Sequence, residues 1–217
     1  MSSARQRILG KIRQSLKRGE LDELARERLA RRVAEPPAYL QARYQGEGLQ
    51  HFIDKLSSPA LTASAERLAG LGDLRGAVQG YLDKHELAPR VCLAPDPRLQ
   101  NLNWAGIDTH HDIDRNEPVS ITVAEAGIME TGSLVFQSGP HSPTLHNFLP
   151  LHHLAVLEVA SLVPYMEDYW RRFRERGEVH PRNINFVTGS SGTADIEAQL
   201  VRGAHGPRFL HIFLIGE

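Results

Sequence analysis

The sequence predicts an α/β protein in which a mostly parallel sheet is flanked by helices and preceded by a helical arm. Short β-branched, apolar segments alternate with amphipathic segments in the latter part of the 217 residues, as in a sheet that is buried on both faces. The first 33 residues carry ten basic against four acidic residues, whereas the remainder carries fifteen against twenty-two. These observations divide the chain into an N-terminal arm with its connector, residues 1–48, and an α/β domain, residues 49–217.

The arm is predicted to form two helices. Ile8, Ile12 and Leu16 recur every four residues, and the pattern is repeated after Gly19. The second helix is expected to end before Pro36. The arm either packs on the acidic remainder of its own chain or docks on another subunit. Its basic residues are diluted by glutamate and lack interleaved aromatic residues, which argues against nucleic acid as the partner.

The elements that follow are predicted from the spacing of their apolar residues. Helices are expected where apolar residues share one face over two turns or more, and strands where short apolar segments end at turn-forming residues. The predicted helices span 49–57, 72–87, 164–177 and 193–202, and the predicted strands span 61–63, 91–94, 119–124, 133–138, 154–159, 183–188 and 210–215.

The composition excludes several classes of protein. Cys92 is the only cysteine, so the chain alone has no intrachain disulfide, no cysteine-rich zinc site and no conventional iron–sulfur cluster. The net charge of −1 gives no general attraction to nucleic acid. We expect a cytoplasmic protein, because no apolar run approaches the ~20 residues that span a bilayer and the start of the sequence does not resemble a secretory signal.

The most informative segment is 188–207, where a Gly/Ser-rich loop separates a predicted strand from a predicted helix. Thr193 is the expected N-cap, Asp195 lies in the expected first turn, and Gly203 is the expected C-cap. Such a unit at the carboxyl edge of a parallel sheet can bind an anion through bare backbone N–H groups. A well-capped helix without a ligand explains the same three residues.

Helix capping accounts less well for Ser190, Ser191 and His205, which lie in the same segment. Ser190 and Ser191 are therefore candidate ligand-binding residues, together with Thr193 and Asp195, and His205 is a candidate catalytic residue. The spacing matches neither a P-loop nor the dinucleotide fingerprint, and the serine pair lacks the spacing of a nucleophile elbow.

A second segment, between two predicted strands, holds the carboxylates of Glu125 and Glu130. A carboxylate in such a turn can act as a nucleophile or general base, or it can cap backbone groups. We treat Glu130 as a candidate catalytic residue and Thr131 and Gly132 as candidate binding residues.

Six of the eleven histidines cluster at 110–111 and within 141–153. Three histidines can hold a metal ion, but these spacings match no familiar ligand set, and no metal site is predicted. Whether the histidine-rich segment 141–153 binds a metal is left open. A single functional histidine is preferred, and His153 and His205 are the best candidates, with His153 as a ligand-binding residue.

Four motifs together resemble the lactate utilization protein C family (LutC, also YkgG), whose shared unit is the LUD domain. The most specific are Thr-Ala-Asp-Ile-Glu at 193–197 and Gly-Ala-His-Gly-Pro at 203–207; Met-Glu-Thr-Gly-Ser-Leu-Val at 129–135 and Leu-Pro-Leu-His-His at 149–153 accompany them. The resemblance runs from about residue 50 to the end. His153, rather than His152, is the preferred match to the histidine of the family.

This resemblance implies a fold of the NagB/RpiA/CoA-transferase-like type. It also implies a role in oxidising L-lactate to pyruvate, with partner subunits that carry iron–sulfur clusters and no cofactor in this chain. The favoured hypothesis is a non-redox subunit that binds a small anionic ligand or assembles the partners. The alternatives are an independent acyl- or CoA-transferase-like enzyme and a ligand-sensing regulator. A cationic side chain, Arg202 or Arg208, is expected to reach the ligand.

Overall fold

The computed structural model describes residues 3–35, 48–177, 179–196 and 199–216, without the side chains at 195, 196 and 199. The chain divides into two compact units, Met1–Ala42 and Arg43–Glu217. In the described residues, no helix is both long and apolar enough to cross a membrane.

The first unit contains the two predicted helices, α1 (Ala4–Ser15) and α2 (Glu23–Ala34). Each begins at a side chain that accepts a hydrogen bond from a backbone N–H of the first turn: Ser3 for α1 and Asp22 for α2. Neither helix has a buried residue. Pro36, at which α2 was expected to stop, lies outside the described residues.

The second unit alternates strands and helices, as its apolar pattern predicted. Its helices are α3 (Gly48–Leu56), α4 (Leu74–Lys84), α5 (Pro97–Gln100) and α6 (Met166–Glu175), and its strands are β1 (Ser64–Leu68), β2 (Arg90–Leu93), β3 (Asp108–His110), β4 (Val119–Val123), β5 (Ala126–Ile128), β6 (Ser133–Gln137), β7 (His152–Glu158), β8 (Leu162–Val163), β9 (Ile184–Val187), β10 (Gly192–Ile196), β11 (Gln199–Arg202) and β12 (Phe209–Ile215).

The central sheet has six strands in the order β1-β12-β7-β4-β2-β3, all paired in parallel. Side chains alternate between its faces: Leu154 and Val156 of β7 join the core that contains α4, whereas Ala155 and Leu157 join the core that contains α3. Burial on both faces explains the continuous apolar strands. The predicted α/β class with a mostly parallel, helix-flanked sheet is confirmed.

A second sheet of four strands has the order β8-β5-β6-β9. Its β5–β6 and β6–β9 pairs are antiparallel, and α6 packs on it through Tyr169 and Phe173. The strands predicted at 133–138 and 183–188 therefore exist but lie in this mixed sheet. Their apolar composition did not indicate a second sheet, because buried strands of the central sheet and of the second sheet contain the same types of residue.

Two predicted elements are wrong. Residues 61–63 form a turn with Thr62 at φ +49°, and the strand begins at Ser64. Residues 193–202 are not a helix: β10 and β11 form an antiparallel hairpin in which Thr193 pairs with Val201. Thr193 is thus no N-cap and Gly203 no helix C-cap, because tertiary contacts override the local helical pattern here.

Candidate functional site

A cavity of about 280 Å³ lies where β7 and β12 begin and β9 ends. It brings together four of the residues singled out from the sequence: His153, Ser190, Ser191 and His205. The remaining walls are formed by Asn147, Phe148, Phe186, Val187, Thr188, Gly189, Gly192, Gly206, Pro207 and Leu210.

The position of this cavity differs from the one expected. A ligand site was predicted at the carboxyl edge of a parallel sheet, but the cavity adjoins the amino ends of β7 and β12. The difference follows from β9, which precedes the Gly/Ser loop and belongs to the second sheet. The loop therefore runs from the carboxyl end of β9, in the second sheet, to the amino ends of β7 and β12 in the central sheet.

His153 is the most deeply placed polar residue of the cavity, with none of its surface exposed. Its Nε2 atom lies 2.7 Å from Thr122 Oγ1 on the adjacent strand. Its Nδ1 atom is buried and has no hydrogen-bond partner in the described part of the chain. Burial, with a smaller contribution from His146, lowers the pKa of His153 to about 3. The ring is therefore neutral near pH 7 and offers one unpaired nitrogen.

The loop at 188–191 is held by the turn that precedes β1. Gly189 has φ +83°, and a Cβ atom there would lie 2.5 Å from the carbonyl oxygen of Leu61. The Ser190 N–H group donates to that same oxygen over 2.9 Å, and Ser190 Oγ lies 2.6 Å from Thr62 Oγ1. Ser190 is thus engaged in structural hydrogen bonds, and glycine is required at 189 by the close backbone approach.

Ser191 joins the loop to the segment before β12. Its N–H group donates to Pro207 over 2.8 Å, and its carbonyl accepts from Gly203 over 3.0 Å. The expected bare N–H groups of Ser190 and Ser191 are therefore occupied. His205 also lines the cavity and has an exposed side chain.

The two candidate arginines differ in position. Arg202, at the end of β11, donates from Nη1 to Ser190 Oγ over 3.0 Å and from Nη2 to the Pro59 carbonyl over 3.2 Å. Its guanidinium group is therefore bonded directly to a residue that lines the cavity, Ser190. The guanidinium of Arg208 lies instead over the ring of Phe209, 5.6 Å from its centre. Of the two candidate arginines, Arg202 is therefore the one bonded to a residue of the cavity wall.

The predicted carboxylates lie elsewhere. Glu125 forms an ion pair with Arg176 at 2.5 Å, and neither Glu125 nor Glu130 is among the described residues that line the cavity. Thr131 is connected to the cavity wall indirectly, because its Oγ1 lies 2.6 Å from Ser133 Oγ, which lies 2.7 Å from Thr188 Oγ1. The catalytic role of Glu130 stays a prediction.

Three other candidates support the loop or fall outside the cavity wall. Gly132 has φ +70°, and a Cβ atom there would lie 2.8 Å from the Leu61 side chain. Thr193 and Asp195 lie on β10, and the side chain of Asp195 is outside the described part of the chain. Its predicted place at a helix N-terminus is wrong, since no helix forms there.

His152, the neighbour of His153, faces the opposite side of the sheet. Its Nδ1 atom lies 3.0 Å from the Tyr81 hydroxyl of α4, and its ring stacks on Phe209 with centres 4.4 Å apart. A larger groove of about 860 Å³ lies on this other side, between α4 and the edge strand β1. Of the two rings, that of His153 lies at the cavity, and its match to the histidine of the family stays a prediction.

The second unit is similar to known proteins. Residues 115–215 match the LUD domain. Lactate utilization protein C of Geobacillus sp. (strain WCH70) is 38% identical over 109 residues, 48% of this chain and 45% of that protein. The protein of the same name from Halalkalibacterium halodurans is 37% identical over 151 residues, 62% of this chain and 65% of that protein. The residues that match the LUD domain are just under half of the chain, and the chain is similar to that domain and to these lactate utilization proteins.

The resemblance to lactate utilization protein C that the motifs indicated is thereby confirmed. The chain spans about half to two thirds of the length of these relatives. A crystal structure of a DUF162 family protein from Deinococcus radiodurans superposes with a TM-score of 0.56 at 18% identity, over 81% of this chain and all of the other. At that identity the likeness concerns the fold alone. The narrower transferase-like topology stays a prediction.

Every residue that lines the cavity lies within the LUD domain. Sequence reasoning found the Gly/Ser loop and His153 but missed Thr122 and Thr188. Both are hydroxyl residues in or beside apolar strands, and Thr122 is almost fully buried. A buried polar residue in an apolar strand is the signal that was available, because such a group needs a hydrogen-bond partner.

Proposed function

We propose that this protein is a non-redox component of a lactate utilization system, and that the cavity beside His153 binds a small organic acid of the 2-hydroxy type. The names of the relatives support the biological setting. The volume of about 280 Å³ supports a ligand of few atoms, since drug-sized ligands occupy roughly 300–1,000 Å³.

The observation that carries the proposal is the unpartnered Nδ1 atom of His153. A buried polar atom without a partner costs about 1–3 kcal/mol, so a ligand that pairs with it gains that amount. If Thr122 donates to Nε2, Nδ1 carries a hydrogen and suits a carboxylate. If Nε2 donates to Thr122, Nδ1 accepts from a hydroxyl. A 2-hydroxy acid offers both groups.

Charge complementarity supports an anion. Millimolar binding needs about 4 kcal/mol, and hydrogen bonds to charged groups contribute about 1.5–3 kcal/mol each. Arg202, held beside the cavity by Ser190 and Pro59, supplies the positive charge, and Ser191 and His205 supply further polar groups. In this arrangement the ligand is bound by His153 and the serine loop, with Arg202 stabilising its charge.

Electron transfer belongs to other components in this proposal. A chain with one cysteine lacks the thiolates of a conventional cluster, so iron–sulfur partner subunits would accept the electrons from lactate. The chain would present or sense the acid, or hold the partners together in the cytoplasm. An independent transferase has less support, because no carboxylate is among the described residues of the cavity wall.

The test combines binding with activity. Titration of the purified chain with L-lactate, followed by NMR or calorimetry, should show saturable binding. His153→Leu should weaken it at least tenfold, because Nδ1 is removed and a buried apolar group replaces it. Ser161→Ala, at a half-buried serine outside the cavity whose hydroxyl donates to the Glu158 carbonyl, is the control and should bind as the wild type does.

The role in the system is tested in extracts of a strain that lacks only this protein. L-lactate-dependent dye reduction should be lost and should return when the purified chain is added, but not when His153→Leu is added. Binding without restored activity would favour a sensor over a component. Full activity in the deleted strain would overturn the proposal.

A further inference from the structure

Three metal-ligating side chains meet beside the edge strand β3, outside the cavity described above. Cys92 of β2, His110 of β3 and Glu117, just before β4, place their ligand atoms within 4.8 Å of one another. They are far apart in sequence and converge because the three strands are neighbours. A fourth group lies close by, since His146 Nδ1 is 3.8 Å from Cys92 Sγ.

Two separations in and beside this cluster are close to those found around one small ion. Ligands about 2.0–2.1 Å from a tetrahedral zinc ion lie about 3.3 Å from each other, and a thiolate at about 2.3 Å lies about 3.6 Å from a nitrogen ligand. The separation between His110 Nε2 and Glu117 Oε1 is 3.4 Å, and the sulfur–nitrogen separation is 3.8 Å. Both values lie within a few tenths of an ångström of that geometry.

The hydrogen bonding of His110 points its free nitrogen at the cluster. Its Nδ1 atom lies 3.1 Å from the carbonyl oxygen of Asp112, which can only accept, so Nδ1 carries the hydrogen. In the neutral ring Nε2 then presents a lone pair. That atom is buried and has no hydrogen-bond partner among the described residues, although a carboxylate oxygen faces it. A histidine held by a backbone carbonyl in this way is the usual support of a metal ligand.

Burial and charge also favour a cation. Cys92 is fully buried and Glu117 is 4% exposed, so an uncompensated carboxylate there is costly. The carboxylates of Glu117, Asp112 and Asp114 all act electrostatically on Cys92. The same carboxylates create a potential that attracts a positive ion.

We propose that Cys92, His110 and Glu117 bind a divalent ion of the zinc type. Sulfur, imidazole and carboxylate ligands together suit this borderline metal, and three protein ligands leave its fourth position to water. The site would adjoin one wall of the cavity, because Cys92 contacts His146 and the next two residues, Asn147 and Phe148, line that cavity.

The spacing of these residues explains why the sequence did not predict the site. His110 is eighteen residues after Cys92, and Glu117 lies seven further on. Only the strand register brings them together: Cys92 pairs with His110 on one side and with Ser120 on the other. The expectation of no metal in this chain came from motif spacing, which does not detect ligands brought together by neighbouring strands.

Cobalt(II) titration of the untagged full chain, freed of metal by a chelator, tests the proposal. One equivalent should produce the visible bands of tetrahedral cobalt and a near-ultraviolet thiolate charge-transfer band, and one equivalent of zinc should remove both. Cys92→Ser should lose the charge-transfer band. Glu117→Gln, which keeps the shape of the side chain, should weaken binding at least tenfold. His180→Ala, at an exposed histidine, is the control and should titrate as the wild type does.

Circular dichroism of each variant shows whether it is folded, and the isosteric Cys92→Ser and Glu117→Gln variants keep the test valid if larger changes unfold the chain. Failure to bind one equivalent would overturn the proposal and would leave a direct contact between His110 and Glu117 as the description of the cluster. A charge-transfer band that persists in folded Cys92→Ser would overturn it as well. The outcome is independent of lactate binding, since no organic ligand is present.

Discussion

Gly189 shows how much of the site depends on single positions. Its φ of +83° and the 2.5 Å approach of its missing Cβ to the Leu61 carbonyl leave no room for another residue. Gly189→Ala should lower the free energy of unfolding by about 2–4 kcal/mol, from backbone strain and forced displacement of Leu61. Denaturant unfolding at neutral pH measures this loss.

Gly80→Ala is the matched control. Gly80 lies on α4 with open space around its missing Cβ, so alanine there should stabilise the protein by about 0.5–1 kcal/mol. Equal effects at the two positions would show that residue 189 is not held against Leu61.

Single residues also mark the limit of what the sequence predicts. His153 was identified by its motif, but its partner Thr122 was not, because pairing between β4 and β7 depends on register. The same holds for Cys92 and His110, which are register partners. Residue types and local spacing are visible in a sequence, whereas contacts across strands are decided by the packing of the whole sheet.

At the level of elements, the hairpin β10–β11 departs most from expectation. Residues 193–202 carry a helical pattern of apolar residues, yet the ends of the segment are fixed by long-range bonds. Gly203 donates to Ser191, and Arg202 bonds Ser190 and Pro59. These contacts oppose the local propensity, which amounts to only a few tenths of a kcal/mol per residue.

Arg202→Met should therefore loosen the hairpin without unfolding the domain. The lost hydrogen bonds to a charged group, at about 1.5–3 kcal/mol, should speed amide hydrogen exchange in 192–202 at least tenfold. Arg208→Met removes an exposed arginine that lies over Phe209 and should leave exchange in the hairpin unchanged. Equal protection in both variants would mean that the hairpin does not depend on Arg202.

The whole molecule is expected to be sensitive to acid because it buries neutral histidines on both faces of its central sheet. Burial lowers the pKa of His152 and His211 to about 4 and that of His153 to about 3. The unfolded chain binds these protons near pH 6.5 and the folded chain does not. Stability is thus fully present above pH 6.5 and falls as the pH drops toward 4.

Each histidine that titrates only in the unfolded chain should remove about 1.4 kcal/mol per pH unit. Denaturant midpoints at pH 7, 6 and 5 should decrease in that order. His211→Gln should reduce the slope by about 1.4 kcal/mol per pH unit, whereas Ser161→Ala, which removes no titratable group, should leave it unchanged. Equal midpoints at pH 7 and pH 5 would contradict this account.

The burial of Cys92 allows the fraction of opened molecules to be measured by chemical modification. The thiol is the chain's only one, it is fully buried, and it lies on a strand paired on both sides. A brief pulse of an alkylating reagent therefore adds a single mass tag to a molecule whose sheet has opened and none to a closed one. The ratio of the two peaks in an intact-mass spectrum then gives the open population without an engineered site.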